Sequence, residues 1–557
     1  MILHSAETIE KFQKLGVWGR GTMLDKLAEA AATCPEQLAF VDPPNRKDLT
    51  GHAPERITYK RLNEISDAVA SALVEQGIEK DDVVVVQLPN CWELGMLYYA
   101  IAKAGAIISP IPVQWRRNEL EYVLDLTGAK AFVTIEEFNG FSHLQMGEEA
   151  KSGANNLDRI LSLDEIRDNS KRTVPDGALD GIQVLPADIW TLQWSSGTEA
   201  KSKACPRTHD NWYNIYAADI LLQLEEHWAH LIPAQIVNNT GITYGIVLPL
   251  INKGKSVLHH PFHFEVWLQQ VKDEEVDLAG LVPAMMNMVL KHPKSGEFNF
   301  DTLKRIGTGS APPSRWAMEE FKKRYGVNVI NIWGQNEGPT IHSGPLTTPM
   351  EKRMQFPQFG KKGVDWGIES PYLRAIETKL LDPAGNEVTG LGEVGELVWK
   401  GPEVMPCYFN APELTEKAFD ADGYIYTGDL FQIEPENFIS FYDRKKDIII
   451  RGGQNISAQE IENLILKHPN VQEAAVVPMP DPVMGEKTCA YIVAIPDAEV
   501  RLEDVKALFQ QEGVAKYKWP ERLEGIDMLP RNHLGKILKA NLRQDINAKI
   551  EKEGSDG

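Results

Sequence analysis

Two buried strands flank an apolar helix between residues 82 and 112, and that order dictates much of what this chain can become. VVVVQL (83–88) is apolar and β-branched on both faces, the pattern of a strand covered on both sides. Residues 92–104 are apolar at helical spacing with no internal proline, Gly105 stops the run, and AIISPIP opens a second buried strand. Strand, helix and strand in that order require a parallel pair joined by a right-handed crossover. The pattern recurs as a helix at 118–126, Gly128 and a strand at 131–135. The fold class expected is α/β.

A chain of 557 residues exceeds one core and implies at least two domains. Glycine and proline thicken between about 345 and 428, and alternating segments such as GELVWKG (395–401) predict a small antiparallel subdomain. After FISFYDRKKDIIIRGG the pattern resets. Ser457 followed by Glu460 reads as a capping box, and VQEAAVVPM and KTCAYIVAI alternate like strands of a compact α+β module. The boundary expected near 443–446 divides the chain into 1–443 and 444–557. The terminal KIEKEGSDG reads as a frayed tail.

The balance of 58 basic against 79 acidic residues, a net charge of −21, argues against a sequence-independent nucleic-acid binder, which needs a basic face, but leaves room for a local basic pocket for a small anion. The triplet Arg444, Lys445 and Lys446 does not change that. Five cysteines without a C-x-x-C pair argue against a disulfide framework and make a reducing cytoplasm the default. The N-terminal segment has no apolar signal region, and no run of 18 apolar residues predicts a membrane span.

The segment carrying most chemical information is LQWSSGTEAKSKACPRTH (192–209). Backbone N–H groups and hydroxyls of such a loop can cradle phosphate oxygens, with a lysine as counter-charge. It lacks the Walker spacing, and alone it reads more readily as a polar surface loop with ordinary lysines. Other segments follow in order. GTGSAPPS (307–314) is a small-residue loop that admits a flat ring, and NIWGQNEG (331–338) puts an aromatic, a glycine and a carboxylate at a strand end, where open α/β sheets bind ligands. YTGD (426–429) ends in an acid suited to paired sugar hydroxyls, DRKKDIIIRGGQNIS (443–457) joins Arg444 to a glycine pair, and PRNHLGKILK (530–539) presents Lys536.

Together these segments, with GELVWKGPEVMPCYFNAPELTEKAF (395–419) and PMPDPVMGE (478–486), resemble the acyl-adenylate-forming superfamily of acyl- and aryl-CoA synthetases, adenylation domains and luciferases, from about residue 24 to 542. The resemblance implies a large N-terminal domain of parallel α/β sheets with a small β-barrel subdomain, and a smaller mobile α+β C-terminal domain. It implies two half-reactions. A carboxylate attacks the α-phosphate of ATP and expels pyrophosphate, and a thiol then displaces AMP from the acyl-adenylate. By the same resemblance Ser195, Ser196, Gly197, Thr198 and Lys203 hold the phosphates, and Gly309, Ser310, Ala311 and Pro312 line the nucleotide site. Trp333 stacks on adenine where tyrosine is usual, with Gly334 and Asn336 beside it. Glu337 binds Mg²⁺, a hard cation that takes oxygen ligands. Asp429 accepts the ribose hydroxyls beside Arg444, Lys536 bridges carboxylate and phosphate, and Gly452 and Gly453 admit the pantetheine arm of coenzyme A.

The departures are informative. Glu199, Ala200, Ser202 and Ala204 replace the Thr, Gly, Pro and Gly of many relatives, and an alanine for a glycine restricts φ. Asn336 stands where threonine is usual, and its amide is able to bond a phosphate oxygen; Cys407 stands where glycine is common and reads as structural. His259, His260 and His263 lack the companions of a recognised zinc spacing and read as a strand-end loop. Residues 271–277 read as a solvated helix end, and Trp190, Trp194 and Trp228 as core.

The acid pocket is expected between Asn238 or Asn239 of IPAQIVNNTGITYG (232–245) on one wall and Gly334 and Gln335 on the other. An asparagine there either orients a ring substituent or only bonds backbone. With no lysine or arginine for a second carboxylate, the expected substrate is an aryl, alicyclic or medium-chain monocarboxylic acid, and the expected product a coenzyme A thioester. A carrier protein's phosphopantetheine is the alternative acceptor, suggested by FQKLGVWGRGTMLDKL near the N-terminus. A luciferase-like monooxygenase is the remote alternative.

Overall fold

The structure is a computed structural model, described here over residues 1–555 except 154–155, 196–201, 214, 310–312 and 532–535. The chain divides into two compact units. One comprises Met1–Ser195, Lys203–Glu377 and Lys400–Ile425, and the other Ser196–Ser202, Thr378–Trp399 and Tyr426–Gly557.

The larger unit is built on two mixed sheets. In the six-stranded sheet, Val83–Gln87 lies between Ile107–Pro110 and Ala131–Thr134, all parallel. These are the strands expected from the β-branched runs, and Val84, Val85 and Val86 are fully buried because both sheet faces are covered. The sheet continues to Ile189–Trp194, and Ala204–Thr208 closes that edge antiparallel. The eight-stranded sheet carries Ala229–Ile232, Leu278–Gly280, Arg305–Thr308 and Asn328–Gly334 as parallel neighbours. Thr340–Ser343 returns antiparallel to the last. Chain segments that leave the carboxyl ends of Ile189–Trp194 and Asn328–Gly334 supply Ser195, Lys203, Gln335, Asn336 and Glu337 to the candidate site. Trp190, Trp194 and Trp228 are core residues. Trp190 donates from its indole to the Tyr98 carbonyl at 2.8 Å, and Trp194 donates to Ser109 Oγ at 2.9 Å.

In the smaller unit, Glu377–Leu381, Val394–Lys400, Ile425–Ile433 and Phe438–Arg444 form successive strands of one curled sheet. A second sheet pairs Val471–Asp481 with Gly485–Ala494, and the latter runs parallel to Arg522–Gly525. Two details depart from the sequence reading. Ser457 Oγ accepts from the Glu460 N–H at 3.1 Å, but the Glu460 carboxylate engages Lys518 at 2.7 Å, so the capping box is only half made. Lysine offers a charge-assisted partner that a backbone N–H does not match. The terminal segment is helical from Lys539 to Ser555. Lys549 bonds Glu524 and Asp545 at 2.7 Å each, and Glu553 meets Arg522 at 2.8 Å; these pairs hold a segment that reads as frayed from its composition. Among the described residues no helix is long and apolar enough to cross a membrane.

Candidate active site

The first group of site residues belongs to the larger unit and begins at the base of the loop that follows Ile189–Trp194. Ser195 N–H donates to the Lys203 carbonyl at 2.9 Å, and Lys203 N–H donates to Ser195 Oγ at 3.0 Å. The loop between them therefore leaves and re-enters at one point. Ser196, Gly197 and Thr198 lie outside the described residues, as do Glu199 and Ala200. The Lys203 ammonium sits 4.7 Å from the centre of the Tyr408 ring, a cation–π placement that aims a long side chain without neutralising it. Tyr408 donates its hydroxyl to Glu337 Oε1 at 2.8 Å. Burial and the neighbouring Glu337 carboxylate push the Tyr408 phenol far up, so it stays a donor. Lys203 and Glu337, 134 positions apart by number, thus share one tyrosine as a spacer.

Glu337 is held by its backbone as well, since its carbonyl accepts from Met405 N–H at 2.9 Å. The turn carrying it closes with Gln335 N–H on the Pro339 carbonyl at 3.0 Å and Gly338 N–H on the Gln335 carbonyl at 3.2 Å. Gly338 has φ +127°, and a Cβ there would lie 2.2 Å from the Glu403 carbonyl oxygen. Only glycine fits. Trp333 is 8% exposed at the strand end, next to the exposed Gly334. On the neighbouring strand's exit, a Cβ at Gly309 would lie 2.7 Å from the Ile332 carbonyl oxygen. The adjoining Ser310, Ala311 and Pro312 lie outside the described residues.

Asn238 caps the short helix Asn239–Ile242, its side chain accepting from Gly241 N–H at 2.9 Å. Of the two roles open to it from sequence, this is the backbone one. Asn239 N–H donates to Asn336 Oδ1 at 2.9 Å, and Asn336 Nδ2 donates to the Trp194 carbonyl at 2.8 Å. Both ends of the Asn336 amide are thereby committed within the protein. Arg207 is buried beside them and donates from Nη1 to Asn239 Oδ1 at 3.3 Å. Desolvation pushes its guanidinium down to about 10, against the opposing pull of Glu403.

The second group belongs to the smaller unit. Asp429 on Ile425–Ile433 faces Arg444 on Phe438–Arg444 in antiparallel register, with Arg444 Nε 3.7 Å from Asp429 Oδ1. Gly428, at φ +70°, turns the strand just before Asp429 and donates to Glu396 Oε1 at 3.0 Å. Glu396 also receives Lys445 at 2.7 Å. Lys536 titrates far below an ordinary lysine, at about 7, because burial strips its hydration and Arg444 repels it; Asp429 acts in the opposite sense. Gly452 and Gly453, at φ +56° and +82°, form the tight turn between Ile449–Arg451 and Gln454–Ile456.

The structure therefore brings Ser195, Lys203, Trp333, Gln335, Asn336, Glu337, Asn238 and Asn239 onto one unit, and Asp429, Arg444 and Lys536 together on the other. Sequence reasoning missed Tyr408 and Arg207. Tyr408 stands within the CYFNAPE segment that carried part of the resemblance, but nothing local ties a tyrosine to a carboxylate 71 residues away. His259 spends Nδ1 on Gln270 Oε1 at 2.7 Å and Nε2 on His263 N–H at 3.0 Å. Among the described residues no group of three or more His, Cys, Asp or Glu is arranged to hold a metal. Glu337 still suits Mg²⁺ by donor type, a hard oxygen presented by a hydrogen-bonded carboxylate.

Residues 27–409 match the AMP-binding enzyme family, and residues 460–536 match the AMP-binding enzyme C-terminal domain. The chain belongs to this family. It is a member of the acyl- and aryl-adenylate-forming superfamily, an ATP-dependent enzyme that forms adenylates of a small carboxylic acid. This AMP-binding enzyme is 29% identical to the medium-chain fatty-acid–CoA ligase of Escherichia coli K12, over 97% of this chain and 93% of that one. It is 27% identical to the 2,3-dihydroxybenzoate-AMP ligase of Bacillus subtilis 168, over 98% and 97%. The fold is shared with ATP-bound MatB from Rhodopseudomonas palustris, at a TM-score of 0.79 and 24% identity over 94% of this chain and 98% of that one.

Proposed function

We propose that this AMP-binding enzyme is an acid–thiol ligase: it forms an acyl-adenylate from ATP and an aryl, alicyclic or medium-chain monocarboxylic acid, then transfers the acyl group to coenzyme A. The observation that carries the reading is the Lys203–Tyr408–Glu337 triad at the base of the loop after Ile189–Trp194. It presents a cation and a carboxylate at fixed separation, which suits a triphosphate and its metal. Lys203 and Ser195 would meet phosphate oxygens, and Glu337 would hold Mg²⁺, which would supply charge neutralisation for the pyrophosphate that leaves. Trp333 would stack on adenine, and Asp429 would accept the two ribose hydroxyls with Arg444 beside it. Lys536, when protonated, would draw the substrate carboxylate to the α-phosphate, where two anions otherwise repel. Gly452 and Gly453 would admit the pantetheine arm.

Likeness to the medium-chain fatty-acid–CoA ligase supports coenzyme A as acceptor. Likeness to the 2,3-dihydroxybenzoate-AMP ligase favours a second reading, in which the acyl group is handed to the phosphopantetheine of a carrier protein. Pyrophosphate release over a panel of carboxylic acids, with and without coenzyme A, tests both. Release followed by thioester formation in the presence of coenzyme A is expected. Release with an adenylate that persists until a carrier protein is added would replace the first reading by the second, and no release with any acid would overturn both.

A further inference from the structure

The Asn336 amide joins the strand end that leads into the proposed phosphate site to the helix expected to line the acid pocket. Its Nδ2 donates to the carbonyl of Trp194, the last residue of Ile189–Trp194 and the point from which the phosphate loop departs. Its Oδ1 accepts from the N–H of Asn239, the first residue of the helix on the expected acid-pocket wall. The orientation of the amide follows from its partners, because a backbone carbonyl only accepts and a backbone N–H only donates. The N–H of a first helical residue has no partner within its own helix, so the Asn336 oxygen fills a place that the helix itself leaves open.

The junction is braced on two sides. Trp194 is 5% exposed and its indole donates to Ser109 Oγ, which fixes the strand end from beneath. Arg207 is 1% exposed and stacks 4.7 Å over Trp212, and its Nη1 reaches both Asn239 Oδ1 at 3.3 Å and the Asn336 carbonyl at 3.5 Å. Arg207 Nε has no hydrogen-bond partner among the described residues. A buried guanidinium held this way resists displacement, because moving it would uncover further unpaired donors. The helix wall and the strand end are therefore joined through the Asn336 amide.

We propose that Asn336 is a positioning residue that couples acid binding to ATP binding, by clamping the acid-pocket wall at Asn239 to the start of the phosphate loop at Trp194. This rests on the proposed function for the phosphate site and on the acid-pocket wall expected at Asn239. Coupling is reciprocal, so an acid that orders the wall tightens ATP by the same factor with which ATP tightens the acid.

The test is calorimetric binding of α,β-methylene-ATP, whose α–β linkage cannot be cleaved to transfer an adenylyl group, to the full-length protein with and without saturating benzoate or octanoate. The parent is expected to bind the analogue about fivefold to tenfold more tightly with an acid present, the scale of one to two hydrogen bonds. Asn336→Leu removes both arms without adding charge. It is expected to bind the analogue with less than about twofold response to the acid, at a melting temperature near the parent's. Asn336→Ser, which is too short to span both partners, gives the same expectation and serves if the leucine variant does not fold. A side chain that only contacted phosphate would lower analogue affinity and leave the acid response intact. That outcome overturns the clamp, as does a parent with no acid response. A parent that does not bind the analogue at all overturns the proposed function first and the clamp with it.

Discussion

Lys536 is the residue whose surroundings make the sharpest prediction. Its ammonium is desolvated and faces Arg444 and Lys446 as like charges, with Asp429 and Asp447 opposing them, and the balance holds it at about 7. At pH 7 roughly half of the molecules then carry the charge, at pH 6 about nine-tenths and at pH 8 about one-tenth. If the charged form is the one that receives the substrate carboxylate, adenylation kcat/KM falls about tenfold between pH 6 and pH 8. The assay is ATP–pyrophosphate exchange at subsaturating acid, pH 6 to 9, at constant ionic strength. Lys536→Arg, whose guanidinium stays charged throughout, should turn at a lower absolute rate but with a flat profile over that range. Stability supplies an internal control with the opposite sign. Because the folded state holds Lys536 below its ordinary 10.5, the unfolded chain binds more protons between about 7 and 10.5. This group therefore adds stability as pH rises through that window, so the activity should fall while its contribution to the melting temperature grows. A parent profile that is flat or rising between pH 7 and 8, or an arginine variant that declines in parallel with the parent, would refute the reasoning.

Four further outcomes are expected. Glu337→Gln should slow pyrophosphate exchange on the order of 10²-fold, the scale of one preorganised charge, and Tyr408→Phe should raise the Mg²⁺ requirement about tenfold by removing one hydrogen bond to a charged group; titrating exchange with Mg²⁺ checks both, and parent-like curves would remove the metal assignment. Asp429→Ala should raise the KM for ATP while leaving the ranking of acids unchanged, because a paired acceptor for two hydroxyls is lost; a changed ranking at unaltered ATP affinity would move Asp429 to the acyl pocket. Gly338→Ala should destabilise the protein by roughly 3 kcal/mol or more, since positive φ and overlap with the Glu403 carbonyl act together; a denaturant midpoint within error of the parent's would show that the turn relaxes freely.

Much of the architecture is legible locally. VVVVQL and AIISPIP predict neighbouring parallel strands, and Val83–Gln87 and Ile107–Pro110 are such a pair, because burial on both sheet faces leaves a mark on every residue of a strand. Ser457 announces a helix start and caps one. The half-made capping box shows where local reading stops. Glu460 has a charged alternative 58 residues on, in Lys518, and the stronger partner takes it. The helix through Lys539–Ser555 is the same lesson in reverse, since its ion pairs to Arg522 and Glu524 come from outside the segment.

For the site, the sequence by itself determined which chemical groups are present and on which kind of element each one stands. Lysine, glutamate and glycine at strand ends are visible as letters, and so is the aspartate that ends YTGD. Only the tertiary structure decided which groups meet. Tyr408 reaches Glu337 across 71 positions, and Asn336 reaches Trp194 across 142 and Asn239 across 97. Such bonds are specified by how strands and loops come together in space, and no periodicity records them. The titration of Lys536 belongs to the same class. A lysine's ordinary charge is a property of the residue, but its descent to about 7 is set by lost water and by Arg444 nearby, and both exist only in the folded chain.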